Sequence, residues 1–238
     1  MNPQLSIVVP VLNEATQVAE RLAALAPLRA RGAEVIVVDG GSHDGTTALA
    51  RDGADQVVQA PRGRASQMNA GALASHGQWL LFLHADTVLP PQADALIANA
   101  LTQGTPPAVW GRFDVRIDGA LRGLRMVAAC MNARSRLTGV ATGDQGLFMA
   151  RTAFDAAGGF PPIALMEDVA ISQRLLALGR PACLREKVHT SGRRWEQHGL
   201  WRTIVLMWRL RLAYFFGADP EQLALRYGYK PSPPKDSP

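Results

Sequence analysis

Short β-branched runs alternate with Ala- and Leu-rich stretches of helical length along the first hundred residues. The runs "LSIVVP", "EVIVVD", "QVVQ" and "WLLFLHA" are separated by "EATQVAERLAALA", "TTALAR" and "ASQMNAGALASH", and "PQADALIANALTQ" follows the last of them. The runs have the length and composition of strands, and the spacers have the length of helices. Strands such as "VIVV" are apolar at every position, which marks burial on both faces. The alternation therefore predicts an α/β fold, a mainly parallel sheet with helices on both faces. From "AVWGRFDVRID" onward the rhythm loosens into a longer strand, a helical stretch near residues 120–137 and a Gly-rich turn, so the second half is expected to be more irregular. The end, "KPSPPKDSP", is rich in Pro and Ser and poor in apolar surface. A single domain is expected over residues 1–230, with a disordered tail at 231–238.

The chain has 238 residues, 47% of them hydrophobic, enough to bury a core. Its formal net charge of +5 is unevenly placed: between Arg180 and Arg211 eight Lys or Arg stand against two Glu. A partner bearing phosphates, or an anionic membrane, suits that surface; no nucleic-acid partner is expected. Cys130 and Cys183 are isolated and lack the spacing of a zinc site or a disulfide scaffold, which points to a reducing compartment. "MNPQLSIVVP" lacks the pattern of a signal peptide, and no run reaches the roughly 18 apolar residues that span a bilayer. A cytoplasmic location is expected, peripheral at the inner face of the membrane if the basic surface docks there. The stretch "IVLMWRLRLAYFF", broken by Arg209 and Arg211, reads either as a core helix or as one lying at a membrane surface.

In open α/β sheets ligands bind at the carboxyl ends of the strands. Three such ends carry polar clusters here: "PVLNE", "DGGSHDGT" and "HADT". In the second, Ser42 and Asp44 read as a turn and a helix cap, whereas Asp39 ends its strand where a carboxylate can accept from a nucleobase edge or ribose hydroxyls. Neither a dinucleotide-binding glycine pattern nor a P-loop occurs. "APRGRASQMNAGA" sets Arg62 and Arg64 in a loop before a helix, where guanidinium groups and backbone N–H groups can meet a diphosphate. In "HADT", His84 and Asp86 two apart on a strand would share a face and reach one divalent ion; the alternative is that His84 packs and Asp86 caps the helix beginning near Pro90. After "GGF", Glu167 and Asp168 open an amphipathic helix, favourable for its dipole and equally suited to a general base.

Taken in order, "VVPVLNEA", "VVDGGSHDGT", "GRASQMNAGA", "FLHADT", "GGF" and "MEDVAISQRLLALG" resemble the pattern of glycosyltransferase family 2 on a GT-A fold, over about residues 5–200. Through "HAD", "GDQG" and "SGRRW" the chain most resembles the bacterial branch associated with arsenosugar biosynthesis and with radical-SAM and selenodomain proteins. The resemblance implies that Pro10, Glu14 and Asp39 hold the nucleoside, that Arg64 and Asn69 lie near the diphosphate, that Asp86 binds Mn²⁺ or Mg²⁺, and that Asp168 is the base. His189 matches a further metal or phosphate ligand. Asp144 and Gln145 would contact the acceptor, with Arg193, Arg194 and Trp195 closing over phosphates or acceptor. Departures from the family pattern are Gly40 in place of a second Asp, Gln67-Met68-Asn69 in place of Ala-Arg-Asn, and His84 in place of the first metal-binding Asp. The expected activity is inverting, metal-assisted transfer from a nucleoside-diphosphate sugar to a hydroxyl, with a lipid phosphate or a small metabolite as acceptor. The alternatives are a nucleotidyltransferase that forms sugar nucleotides and a non-catalytic membrane-associated protein.

Overall fold

The computed structural model describes residues 4–103 and 106–229, so the Pro- and Ser-rich tail lies outside the described residues. The first half contains β1 (Leu5–Val11), α1 (Val18–Ala23), α2 (Ala26–Ala30), β2 (Glu34–Asp39), α3 (Thr46–Ala50), β3 (Gln56–Gln59), α4 (Arg64–Ala74), β4 (Trp79–Phe82), β5 (Thr87–Val88) and α5 (Ala93–Thr102). The second half contains β6 (Trp110–Asp118), α6 (Leu124–Thr138), a 3-10 turn (Gly143–Gln145), β7 (Leu147–Ala150), α7 (Arg151–Ala156), α8 (Glu167–Leu176), β8 (Ala182–Ser191), α9 (Arg193–His198), α10 (Leu200–Phe215) and α11 (Pro220–Tyr227). Eight strands form one sheet in the order β3-β2-β1-β4-β7-β6-β8-β5. β3, β2, β1 and β4 are parallel, whereas β7 runs antiparallel to both β4 and β6.

Alternation along each strand feeds two cores. Ile7, Val9, Val35 and Val37 pack with Val18 and Leu22 of α1 on one face. Val8, Ile36 and Val38 pack with Met68 and Ala72 of α4 on the other. This is why the strands read as uniformly apolar: each side chain has a helix above or below it. The helix expected across "EATQVAERLAALA" begins only at Val18, because the residues before it are drawn into the turn after β1.

α4 lies directly on β1 and β2, and Gly71 is the point of closest approach. A Cβ added there would sit 2.3 Å from Val8 Cγ1 and 2.9 Å from Val38 Cγ2. Gly71→Ala gains about 1 kcal/mol of helix propensity but overpacks a rigid contact at about 1–3 kcal/mol. A net loss of about 1 kcal/mol is expected, read as a lower urea midpoint at unchanged slope. A raised midpoint would show that α4 shifts freely on the sheet.

Candidate active site

The chain leaves β1 towards β2 and β3 on one side and returns to place β4 on the other. The loops after β1 and β4 therefore diverge and leave a crevice at the carboxyl edge. A cleft of about 420 Å³ occupies that place, with Pro10 and Glu14 from the first loop, Arg62 and Arg64 at the start of α4, and His84 and Asp86 after β4. Glu167, Arg194, Tyr227 and Tyr229 close it from the second half. A larger cavity of about 730 Å³ lies at the opposite edge, but its charged walls are paired, Arg31 to Asp94 at 2.6 and 2.9 Å among them.

The first two loops are zipped together. Asn13, in the left-handed region at φ 54°, donates its N–H to Ser42 Oγ and accepts from the His43 N–H. The Glu14 and Ala15 N–H groups donate to Thr46 Oγ1 and Asp44. This leaves the Glu14 carboxyl at the crevice, where burial raises its pKa and Asp86 adds to the effect against the opposing field of Arg193. Asp39 is spent on its own turn. It is 1% exposed and accepts from Ser42 Oγ and from the N–H groups of Gly41 and Ser42. Burial opposes its charge, yet bonds from Ser42, Gln59 and Gly41 outweigh this and hold its pKa below the ordinary value.

Gln67 takes a position that the sequence reading left without a role. Its amide donates to Val11 O at 2.9 Å and Val38 O at 2.8 Å, tying the ends of β1 and β2 together beneath Gly40. Asn69 lies away from the cleft lining and clasps the Phe160 backbone, donating at 2.8 Å and accepting at 2.9 Å. It thereby fixes the "GGF" turn. Arg64 reaches into the crevice. Removal from water works against its charge, but Glu167, Tyr227, Asp144 and Asp168 more than compensate, so its pKa is raised.

His84 and Asp86 do not lie on a strand. β4 ends at Phe82, and the Thr87 N–H donates to His84 O at 3.0 Å to close a turn, so strand alternation does not govern the two side chains. His84 Nδ1 is 3.1 Å from Asp144 Oδ1. Its Nε2 lies against Gly143, where an added Cβ would be 2.3 Å away. The shared strand face expected for His84 and Asp86 is thus absent, and the histidine ring meets the "TGDQG" turn. Among the described residues the Asp86 carboxylate has only long contacts, 3.4 Å to Thr87 Oγ1 and 3.5 Å to Thr190 Oγ1. Nor does it cap a helix, since α5 starts at Ala93 after Gln92.

Met166, buried and in the left-handed region at φ 70°, turns the chain into α8. A methionine is uncommon in that conformation, and here it sets two acids at the helix start. Asp168 accepts from the Gly143 N–H at 2.9 Å and the Val169 N–H at 2.7 Å. Glu167 is 4% exposed and lines the cleft. Burial, helped by the Asp168 charge and opposed by Arg64, pushes its pKa up to about 7. Asp144 is held below its ordinary value because the bond to His84 outweighs its burial. Gln145 is fully buried against Asn132 and Thr142 and cannot touch an acceptor. His189 pairs with Asp118 at 2.9 Å and does not line the cleft, and Trp195 packs against the core.

Two tyrosines complete the crevice unannounced by any local motif. The Arg194 guanidinium lies 3.7 Å from the centre of the Tyr227 ring and donates to Tyr227 O at 2.7 Å. Arg62 lies 5.0 Å from the Tyr229 ring centre. The aromatic–Gly–aromatic sequence "YGY" after the last amphipathic helix was the available signal, but its target was tertiary. Arg134 of α6 leaves Nε and Nη2 buried without a partner among the described residues.

A mainly parallel sheet with its crevice at the switch point between β1 and β4 is the architecture of the GT-A fold. The chain belongs to glycosyl transferase family 2, whose sequence profile matches residues 6–154. It is similar to glycosyltransferase AglJ of Haloferax volcanii, with 34% identity over 125 residues, 51% of this chain and 40% of that one. It is also similar to undecaprenyl-phosphate 4-deoxy-4-formamido-L-arabinose transferase of Aeromonas hydrophila, 31% identical over 110 residues, 42% of this chain and 34% of the other. The chain thus spans well under half the length of either relative. Its fold matches that of a mannosyltransferase from Pyrobaculum calidifontis solved with GDP-Man and Mn²⁺, at a TM-score of 0.61 and 21% identity, over 96% of this chain and 70% of that one.

The raised Glu167 pKa makes a stability prediction. The folded chain retains a proton that the unfolded chain releases between the ordinary 4.5 and about 7. The folded state is favoured below that window, and this advantage is lost as pH rises through it. Glu167→Gln should therefore gain thermal stability over the wild type progressively from pH 4.5 to 7.5. A difference between the two melting curves that stays constant with pH would contradict the assignment.

Proposed function

We propose that the chain transfers a sugar, with inversion, from a nucleoside-diphosphate sugar to an acceptor hydroxyl. The observation that carries this reading is one crevice lined by Asp86, whose carboxylate makes no short bond among the described residues, together with Arg64 and Glu167, with Asp168 next to Glu167 at the start of α8. Among the described residues no three His, Cys, Asp or Glu side chains converge as a metal cage. The donor set nevertheless fits Mn²⁺ or Mg²⁺ held by one carboxylate, Asp86, together with diphosphate oxygens, as such ions are commonly bound. When bound, the ion neutralises charge that builds on the leaving diphosphate.

The chain's own residues would do the rest. Arg64 and Arg194 offset the diphosphate charge, with Arg62 beside them. Pro10 and Glu14 form the wall for the nucleoside. The acceptor oxygen attacks the anomeric carbon, the bond from that carbon to the phosphate oxygen breaks, and the nucleoside diphosphate leaves with the electron pair. Asp168 receives the hydroxyl proton. Its carboxylate is held in place by the Gly143 and Val169 N–H groups. The "HAD", "GDQG" and "SGRRW" motifs support the branch associated with arsenosugar biosynthesis, and the undecaprenyl-phosphate enzyme among the relatives supports a lipid phosphate as an acceptor class.

The test is nucleoside-diphosphate release from a panel of UDP-, GDP- and TDP-sugars with Mn²⁺, water standing in for the acceptor. Wild type should release product from at least one donor. Asp168→Asn should lower turnover by about 10²–10⁴ while leaving nucleotide affinity unchanged. Near-normal turnover in Asp168→Asn with collapse in Glu167→Gln would move the base to Glu167, and no release from any donor by the wild type would count against transfer altogether.

A further inference from the structure

We propose that α10 docks the protein onto the surface of an anionic lipid bilayer. The helix has two apolar faces, which a surface helix of a globular protein has no need of. Leu210 of its inner face packs with Met166, Val169 and Leu223, and Leu206, Ala213 and Tyr214 lie against that cluster. On the opposite face Trp201, Val205, Trp208, Leu212 and Phe215 follow at steps of four and three residues, with Phe216 beside them. These six side chains are 53–78% exposed. Scattered exposed apolar residues are ordinary, but a continuous stripe of two tryptophans, two phenylalanines, a leucine and a valine is a contact surface.

Charge identifies the occupant. At 100° per residue Arg202 and Arg209 fall on one flank of the stripe and Arg211 on the other. No Asp or Glu occurs from Gln197 to Ala218. The first turn of α6 adjoins the start of α10, where a Cβ on Gly123 would be 2.2 Å from Leu200 Cδ2. It adds exposed Arg122, Arg125 and Met126 to the same region. Pairing two copies through the stripe would bring Arg202, Arg209 and Arg211 of one copy against those of the other, with no acid on α10 to meet them. A bilayer with anionic head groups supplies negative charge to the flanks and an apolar interior to the stripe, and Trp is suited to the boundary between them. The 16-residue helix is about 24 Å long at the usual rise. With three arginines it lies in the surface, and no helix among the described residues is long and apolar enough to cross a membrane.

The orientation follows from the inner face. Met166 and Val169 flank Glu167 and Asp168, so a docked α10 sets those acids about one helix diameter, ~10 Å, from the lipid. On the transfer reading this opens the acceptor end of the crevice to a substrate carried in the membrane. That consequence rests on the transfer reading, whereas the docking itself does not.

The experiment is co-sedimentation of the full chain with phosphatidylcholine vesicles with and without 25% phosphatidylglycerol, at low and at high salt, alongside the emission maximum of its tryptophans. Binding to anionic vesicles at low salt with a blue shift is expected, weakened by salt and by omission of the anionic lipid. Arg202→Glu/Arg209→Glu should reduce partitioning at least about tenfold. Trp201→Ser/Trp208→Ser should do the same with an unchanged circular dichroism spectrum. Absence of sedimentation with anionic vesicles at low salt overturns the proposal. So does a concentration-dependent dimer in light scattering that the tryptophan variant abolishes, which would assign the stripe to a second copy. Neither result bears on donor turnover, so docking and transfer stand or fall separately.

Discussion

A parallel sheet built by crossovers reverses its strand order somewhere, and in this chain it does so at the paired strands β1 and β4, whose following loops diverge and leave a gap at the carboxyl edge. Everything that gives the molecule chemistry is a consequence of that gap. Strand ends release backbone groups that cannot be left dry, so the polar residues at the edge divide into those that satisfy the backbone and those that face the opening. Gln67, Asn69 and Asp39 belong to the first kind, each with its hydrogen-bonding capacity turned to backbone or turn. Glu14, Asp86, Arg64 and Glu167 belong to the second.

The second set is electrically crowded. Arg64 is the cation common to the fields of Glu167, Asp144 and Glu14, and without it burial would press their pKa values higher. The crevice thus keeps acids near one another by a central guanidinium and by backbone N–H donors to Asp168. His84 turns its ring onto Gly143 and Asp144 and ties the loop after β4 to the 3-10 turn of the second half.

The fold was legible because apolar runs in doubly covered strands have no alternative use: "SIVV", "VIVV" and "WLLF" could only be strands of a sheet with helices on both faces. Of the site, Glu14, Arg64, Asp86 and Glu167 were legible from their places at strand and helix ends. What escaped was set by contacts distant in sequence. Whether Asn69 faces a phosphate or clasps Phe160, 91 residues away, depends on where the "GGF" turn lands. The strand reading of His84 failed because β4 stops at Phe82, a boundary that the run "WLLFLHA" does not mark. The tyrosines of α11 and its following turn were invisible because their partners, Arg62 and Arg194, lie far back along the chain. In "IVLMWRLRLAYFF" exposure divides the helix, the inner face packing in a core and the outer face standing exposed.

The central claim is that the crevice receives a diphosphate between Asp86 and Arg64. Calorimetric titration of UDP, GDP, TDP and CDP into the wild type and Asp86→Ala, with and without Mn²⁺, tests it most directly. Binding of at least one nucleotide is expected, strengthened by Mn²⁺ in the wild type and indifferent to Mn²⁺ in Asp86→Ala. An equal Mn²⁺ effect in both proteins, or no binding of any nucleotide, would contradict it.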